Sequence, residues 1–153
     1  MSKAKSVFVT YIRTTPEKIW EAITDVKVTR QYWQNENVSD WKVGSKWEHQ
    51  SIDDSRKTLL VGKVLESKSP NRLVITWADP AAADKASRVA FDFESMGDMV
   101  RLTVTHDDLE QGSGMEQGIN EGWPRVLSSM KSFLETGKPL NTWLGHKMAS
   151  AEA

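Results

Sequence analysis

The stretch VAFDFESMGDMVRLTVTH, residues 89–106, decides the architecture. Val89, Phe91 and Phe93 alternate with Ala90, Asp92 and Glu94, and Val100, Leu102 and Val104 alternate with Arg101, Thr103 and Thr105. Side chains two apart on a strand point the same way, so each run has one apolar and one wet face. Met96-Gly97-Asp98-Met99 between them has turn chemistry, and the whole reads as an antiparallel hairpin with one face made for a core. Asp92 and Glu94 fall on the wet face, which removes them from any interior site.

Working outward toward the N-terminus, the period of two extends back to about Val38, with turn signals at Val43-Gly44-Ser45 and Ser69-Pro70-Asn71. Trp47 and His49 share a face of the strand after Gly44, as do Leu73, Ile75 and Trp77 in the strand after Asn71. The stretch Asp79-Pro80-Ala81-Ala82-Ala83-Asp84 reads as a loop. Ahead of the sheet, Val7 to Ile12 form a first strand. Thr14-Thr15-Pro16-Glu17 then starts a helix, with a threonine cap, a proline where the missing N–H costs nothing, and a glutamate at the positive end of the dipole. Ile19, Trp20 and Ile23 make its apolar stripe. A second short helix runs from about Asp25 to Trp33, with Val28, Tyr32 and Trp33 on one face.

Toward the C-terminus, Ile119, Trp123, Val126, Leu127, Met130, Phe133 and Leu134 recur at three and four until Gly137, which is placed as a C-terminal cap. Two starts are open for this long helix. If it includes Gly118 and Gly122, four apart on one face, each glycine costs about 1 kcal/mol relative to alanine. Their missing side chains then leave room for a ligand beside Trp123. If it begins near Trp123, with Pro124 in the first turn, both glycines are only loop, and Gly112-Ser113-Gly114 is a flexible lead. Only this helix is long enough to cover the sheet's apolar face. The expected fold is α+β: a curved antiparallel sheet of about seven strands wrapped on the C-terminal helix, with two short helices after strand one. It occupies residues 1–140 as one domain, and 141–153 read as a frayed tail.

Twenty basic against twenty-one acidic side chains give a net charge of -1, which lacks the basic footprint of a nucleic-acid binder. No cysteine is present, so disulfides, thiolate zinc sites and thiol nucleophiles are excluded. The first apolar run is too short and polar for a signal peptide or a membrane span, and the expected location is the cytoplasm.

The chain resembles the START-like superfamily, in particular the activator of Hsp90 ATPase homologue 1-like domain. The resemblance is carried by Thr15-Pro16-Glu17-Lys18-Ile19-Trp20-Glu21-Ala22 with Thr24-Asp25, by Leu102-Thr103-Val104-Thr105-His106, and by Gly122-Trp123-Pro124-Arg125-Val126-Leu127 through Leu134-Glu135-Thr136-Gly137. It implies a helix-grip fold with a cavity under the closing helix. In the co-chaperones that name the family this domain follows a separate chaperone-binding domain, for which 153 residues leave no room. Stand-alone relatives include carriers of hydrophobic ligands and cyclase-like enzymes, so the fold alone does not choose among functions.

The candidate site is the apolar inner face: Trp47, His49, Trp77, Phe91, Phe93, Leu102, Val104 and His106 from the strands, with Gly118, Gly122, Trp123 and Val126 from the helix. Its expected occupant is a small hydrophobic or amphipathic molecule, bound without catalysis and without a cofactor. The alternative is a cyclase- or hydratase-like enzyme using His106 or another buried polar group as a general acid/base, against a structural reading in which His106 is hydrogen-bonded at a strand end. A third possibility is a chaperone-interaction module. No metal is expected: His106-Asp107-Asp108 and Asp53-Asp54 offer adjacent residues that point to opposite sides of an extended segment. No phosphate-binding glycine loop and no Gly-x-Ser-x-Gly elbow occur.

Overall fold

A computed structural model describes residues 2–142. The part of the expected tail at 143–153 lies outside the described residues. Strand β1 (Lys3–Ile12) is followed by helices α1 (Pro16–Thr24) and α2 (Val26–Tyr32), then strands β2 (Asn35–Val38), β3 (Lys46–Ser51), β4 (Thr58–Lys68), β5 (Arg72–Trp77), β6 (Ser87–Met96) and β7 (Met99–Glu110), and finally helix α3 (Gly114–Thr136). The strands form one seven-stranded sheet in the order β1-β7-β6-β5-β4-β3-β2, antiparallel throughout. Register shifts between Ala4 and Ser6, His49 and Gln50, and Val64 and Glu66 interrupt the ladder, and such bulges bend and twist a strand.

Local chemistry accounts for the element ends. The Thr15 side chain accepts from the Lys18 N–H with Pro16 in the first turn, Asp25 caps α2 by accepting from the Lys27 N–H, and Gly137 takes the left-handed conformation (φ 82°) that ends α3. The structure corrects three boundaries. The first strand begins at Lys3 rather than Val7, the sheet resumes at Asn35 rather than Val38, and the Asp79–Asp84 stretch contains a 3-10 turn, Pro80–Ala82, capped by Asp79. Helix α3 begins at Gly114, capped by the Ser113 hydroxyl, so Gly118, Gly122 and Pro124 all lie inside it. Its buried stripe, Ile119, Trp123, Val126, Leu127 and Met130, outweighs their weak propensity, as tertiary packing commonly does.

The core lies between the sheet's inner face and α1, α2 and α3. The outer face is laced with ion pairs, Arg72 to Asp92 at 2.7 Å, Arg88 to Asp107 at 3.6 Å and Arg101 to Glu94. Asp92 and Glu94 are therefore on the outer face as expected, and each is paired. Residues after α3 fold back on it: Arg125 Nη1 donates to the Thr142 carbonyl at 2.7 Å, and the Ser129 hydroxyl donates to the Leu140 carbonyl.

Candidate functional site

The inward positions of four strands and one helix meet in a continuous aromatic cluster. Trp47 from β3 lies 5.4 Å from Trp77 of β5, Trp77 lies 5.3 Å from Trp123 of α3, and Trp123 lies 5.8 Å from both Phe91 and Trp33, measured between ring centroids. Trp33 in turn lies 4.7 Å from His49. Leu102, Val104 and Val126 close the walls, all fully buried or nearly so. Of the residues read from the sequence, Trp47, His49, Trp77, Phe91, Leu102, Val104, His106, Gly122, Trp123 and Val126 are brought into this one interior. Phe93 is buried farther along β6, edge-on to Trp20 of α1, and Gly118 is only half-buried.

His106 is fully engaged. An indole nitrogen can only donate, so the Trp123 Nε1–H donating at 3.1 Å makes His106 Nδ1 the unprotonated acceptor. His106 Nε2–H then donates to the Ser87 hydroxyl at 2.8 Å, and that hydroxyl donates to the Trp77 carbonyl at 2.9 Å. The chain of bonds from α3 through β7 and β6 to β5 leaves neither ring nitrogen of His106 open. Burial pushes the His106 pKa down to about 3, so the ring is neutral at physiological pH. This is the structural reading of His106, whose hydrogen-bond partners among the described residues, Ser87 and Trp123, are not acid/base groups.

His49 is only half engaged. The Asn37 amide nitrogen donates to the Ile23 carbonyl at 3.1 Å, which fixes the amide orientation and leaves its oxygen facing His49 Nδ1 at 2.7 Å. Nδ1 therefore carries the proton, and Nε2 is a lone pair with no partner among the described residues. Burial holds this pKa down to about 3 as well. Beside it, Trp33 Nε1 is a buried donor without a partner among the described residues, and Trp77 Nε1 is another. A buried group left without a hydrogen bond costs about 1–3 kcal/mol.

One further feature borders the site. Trp47 Nε1 donates to the Thr76 carbonyl at 2.7 Å, at a break in the β4–β5 ladder where the Lys63 N–H turns to the Thr76 hydroxyl. Gly62 makes this possible: a Cβ there would lie 2.0 Å from the Thr76 oxygen and 2.3 Å from the indole nitrogen. A half-open cavity of about 380 Å³ lies at this break, lined by Trp47, Gly62, Thr76, Ala78, Pro80 and neighbouring residues. Among the described residues no group of three His, Cys, Asp or Glu side chains could hold a metal, and no helix is long and apolar enough to cross a membrane.

The fold that holds this interior has counterparts among known proteins. A family model described as activator of Hsp90 ATPase homolog 1-like protein matches residues 13–135. The chain belongs to that family. Among solved structures it is similar to the Aha1 dimer from Colwellia psychrerythraea, at 20% identity over 88% of this chain and 98% of that one, with a TM-score of 0.74. It is similar to CalU16 from Micromonospora echinospora, at 20% identity over 92% of this chain and 80% of that one, with a TM-score of 0.72. It is also similar to an HSP90 activator from Plasmodium falciparum, at 22% identity over 78% and 86% of the two chains, with a TM-score of 0.66. At these identities the likeness shows the helix-grip fold alone. No curated protein matches the chain by sequence.

Sequence reasoning missed Trp33, Asn37 and Ser87 as members of the site. Asn37 stands directly opposite His49 in the β2–β3 register, and Ser87 stands opposite Trp77 in the β5–β6 register. No signal in a period of two reveals which residue of one strand faces which of the next. Trp33 ends the second short helix, and its apolar spacing alone marks it as core.

Proposed function

We propose that this family member binds a small hydrophobic or amphipathic molecule between the sheet and α3, without catalysing a reaction on it. The observation that carries the reading is the composition of α3 over the aromatic cluster: Gly118, Gly122 and Pro124 weaken the helix within seven positions, on either side of the buried Trp123. A helix weakened where it covers aromatic walls can yield to admit a guest. The absence of chemistry is supported by His106, whose two nitrogens are both engaged, and by the neutrality of both interior imidazoles. Native mass spectrometry of freshly purified protein and a thermal-shift screen of lipids and aromatic metabolites test the reading. Co-purified small molecules or a rise in Tm with apolar ligands are the expected results; no bound species and no shift at high ligand concentration sink it.

A contact with a chaperone is the second reading. The family description supports it, and so does an exposed stripe on the edge strand β1, where Val7, Val9 and Tyr11 are each about half exposed (52%, 51% and 46%). A pull-down of Hsp90 that survives moderate salt and is lost in Val9→Lys is the expected result, and no retention at low salt removes this reading.

A further inference from the structure

We propose that the His49 end of the interior is a hydroxyl-binding site, in which one OH group accepts from the Trp33 indole N–H and donates to His49 Nε2. This rests on the ligand reading above and names the group that the ligand carries. The chain of argument begins at the Ile23 carbonyl, which takes the Asn37 amide N–H. That bond turns the amide oxygen to His49 Nδ1, fixes the tautomer, and strands the Nε2 lone pair. Trp33, whose ring centroid lies 4.7 Å from that of His49, strands a donor. The two side chains are 0% and 3% exposed, and they do not bond to each other.

An acceptor and a donor left open on rings whose centroids lie 4.7 Å apart select a group that is both donor and acceptor. A hydroxyl meets that demand with one atom. A carboxylate, ketone or ether cannot donate to Nε2, and an ammonium cannot accept from Trp33. Charge is disfavoured as well, because the surrounding rings of Trp33, Trp123 and Trp77 offer no counter-ion and His49 itself stays neutral. The nearest ion cluster, Glu36 bridged by Arg30 at 2.6 Å and Arg56 at 2.5 Å, belongs to the residue before Asn37 on β2 and so to the opposite side of that strand. His106, with no open position, supplies no comparable site. The ligand class is therefore a neutral alcohol or phenol, its hydroxyl at His49 and Trp33 and its apolar body along the aromatic walls.

Phenol and toluene, alike in shape and differing in the hydroxyl, test this on the 15N-labelled full chain by NMR. Phenol is expected to move the Trp33 indole N–H resonance downfield and the His49 Nε2 resonance toward its hydrogen-bonded value, and to bind about tenfold more tightly than toluene, the size of one well-made hydrogen bond to groups otherwise unpaired. In Trp33→Phe the tenfold preference is expected to shrink to near parity while toluene binding persists. The wild-type resonance shifts carry the test if that variant does not fold. Equal binding of both probes, or phenol binding that leaves Trp33 and His49 unmoved, overturns the hydroxyl site and leaves the ligand reading standing. Failure of both probes to bind overturns the two together.

Discussion

His106 and His49 lie in the same interior, both completely buried, yet four elements cooperate to saturate the first while the second is served on one nitrogen only. Along the bonds of the His106 ring every donor finds an acceptor, Trp123 to His106, His106 to Ser87 and Ser87 to the Trp77 carbonyl, and only the neighbouring Trp77 indole N–H is left over. Around His49 the chain of bonds runs from Ile23 through Asn37 to Nδ1 and stops, with Nε2 and the Trp33 N–H left over. Since an unmade buried hydrogen bond is a cost rather than a neutral event, the contrast separates a histidine whose two ring nitrogens are both spent from one that carries the cost of an open nitrogen.

The largest expected effect tests whether the two imidazoles are equally dry. Both are held neutral down to about pH 3, whereas in the unfolded chain a histidine titrates near 6.5. Between those values the unfolded chain binds more protons, so stability is full above about pH 6.5 and falls as pH drops toward 3. At pH 5 the loss is about 2 kcal/mol for each histidine and about 4 kcal/mol for both. Urea denaturation at pH 7.5 and pH 5 measures it, and His49→Leu should remove about half of the acid loss. A loss that His49→Leu leaves whole would assign it all to His106.

Next in size is Gly62→Ala, which attacks the Trp47 indole packed against Trp77. The new methyl overlaps the Thr76 carbonyl and the indole nitrogen, and the expected cost is near the upper end of about 1–3 kcal/mol, with a red shift of tryptophan emission as Trp47 is displaced. Unchanged stability and emission would show that the break in the ladder has slack.

A paired substitution then sharpens the contrast itself. Trp123→Phe and Trp33→Phe remove similar volume, but the first strands His106 Nδ1 while the second deletes a donor that has no partner. Trp123→Phe is expected to be the more destabilising by about 2 kcal/mol in chemical denaturation, and equal losses would erase the distinction between the regions. The smallest effect belongs to the outer face, where Arg72→Ala should cost less than about 1 kcal/mol and the cost should shrink in salt, because its pairs with Asp92 and Glu66 stay in contact with water.

Most of the fold was legible in the chain. The alternation through residues 89–106 gave β6, the turn and β7, and Thr15-Pro16 and Gly137 marked helix ends that the structure keeps. The start of α3 was not legible, since Gly118, Gly122 and Pro124 argue against a helix by local propensity and only burial of Ile119 and Trp123 against the sheet overrides them. The inward positions Trp47, His49, Trp77 and Trp123 were readable as one face, but the partners that decide what the histidines can do were not.

What the sequence determined by itself is therefore the set of elements, their caps and the side of each strand that turns inward, because periodicity and capping act over a few neighbouring residues. What only the tertiary structure decided is which lone pair is spent and which is open. His49 meets Asn37 across 12 positions, and His106 meets Trp123 and Ser87 across 17 and 19. Those meetings follow from strand register and from the seating of α3 on the sheet, and no local pattern along the chain encodes either.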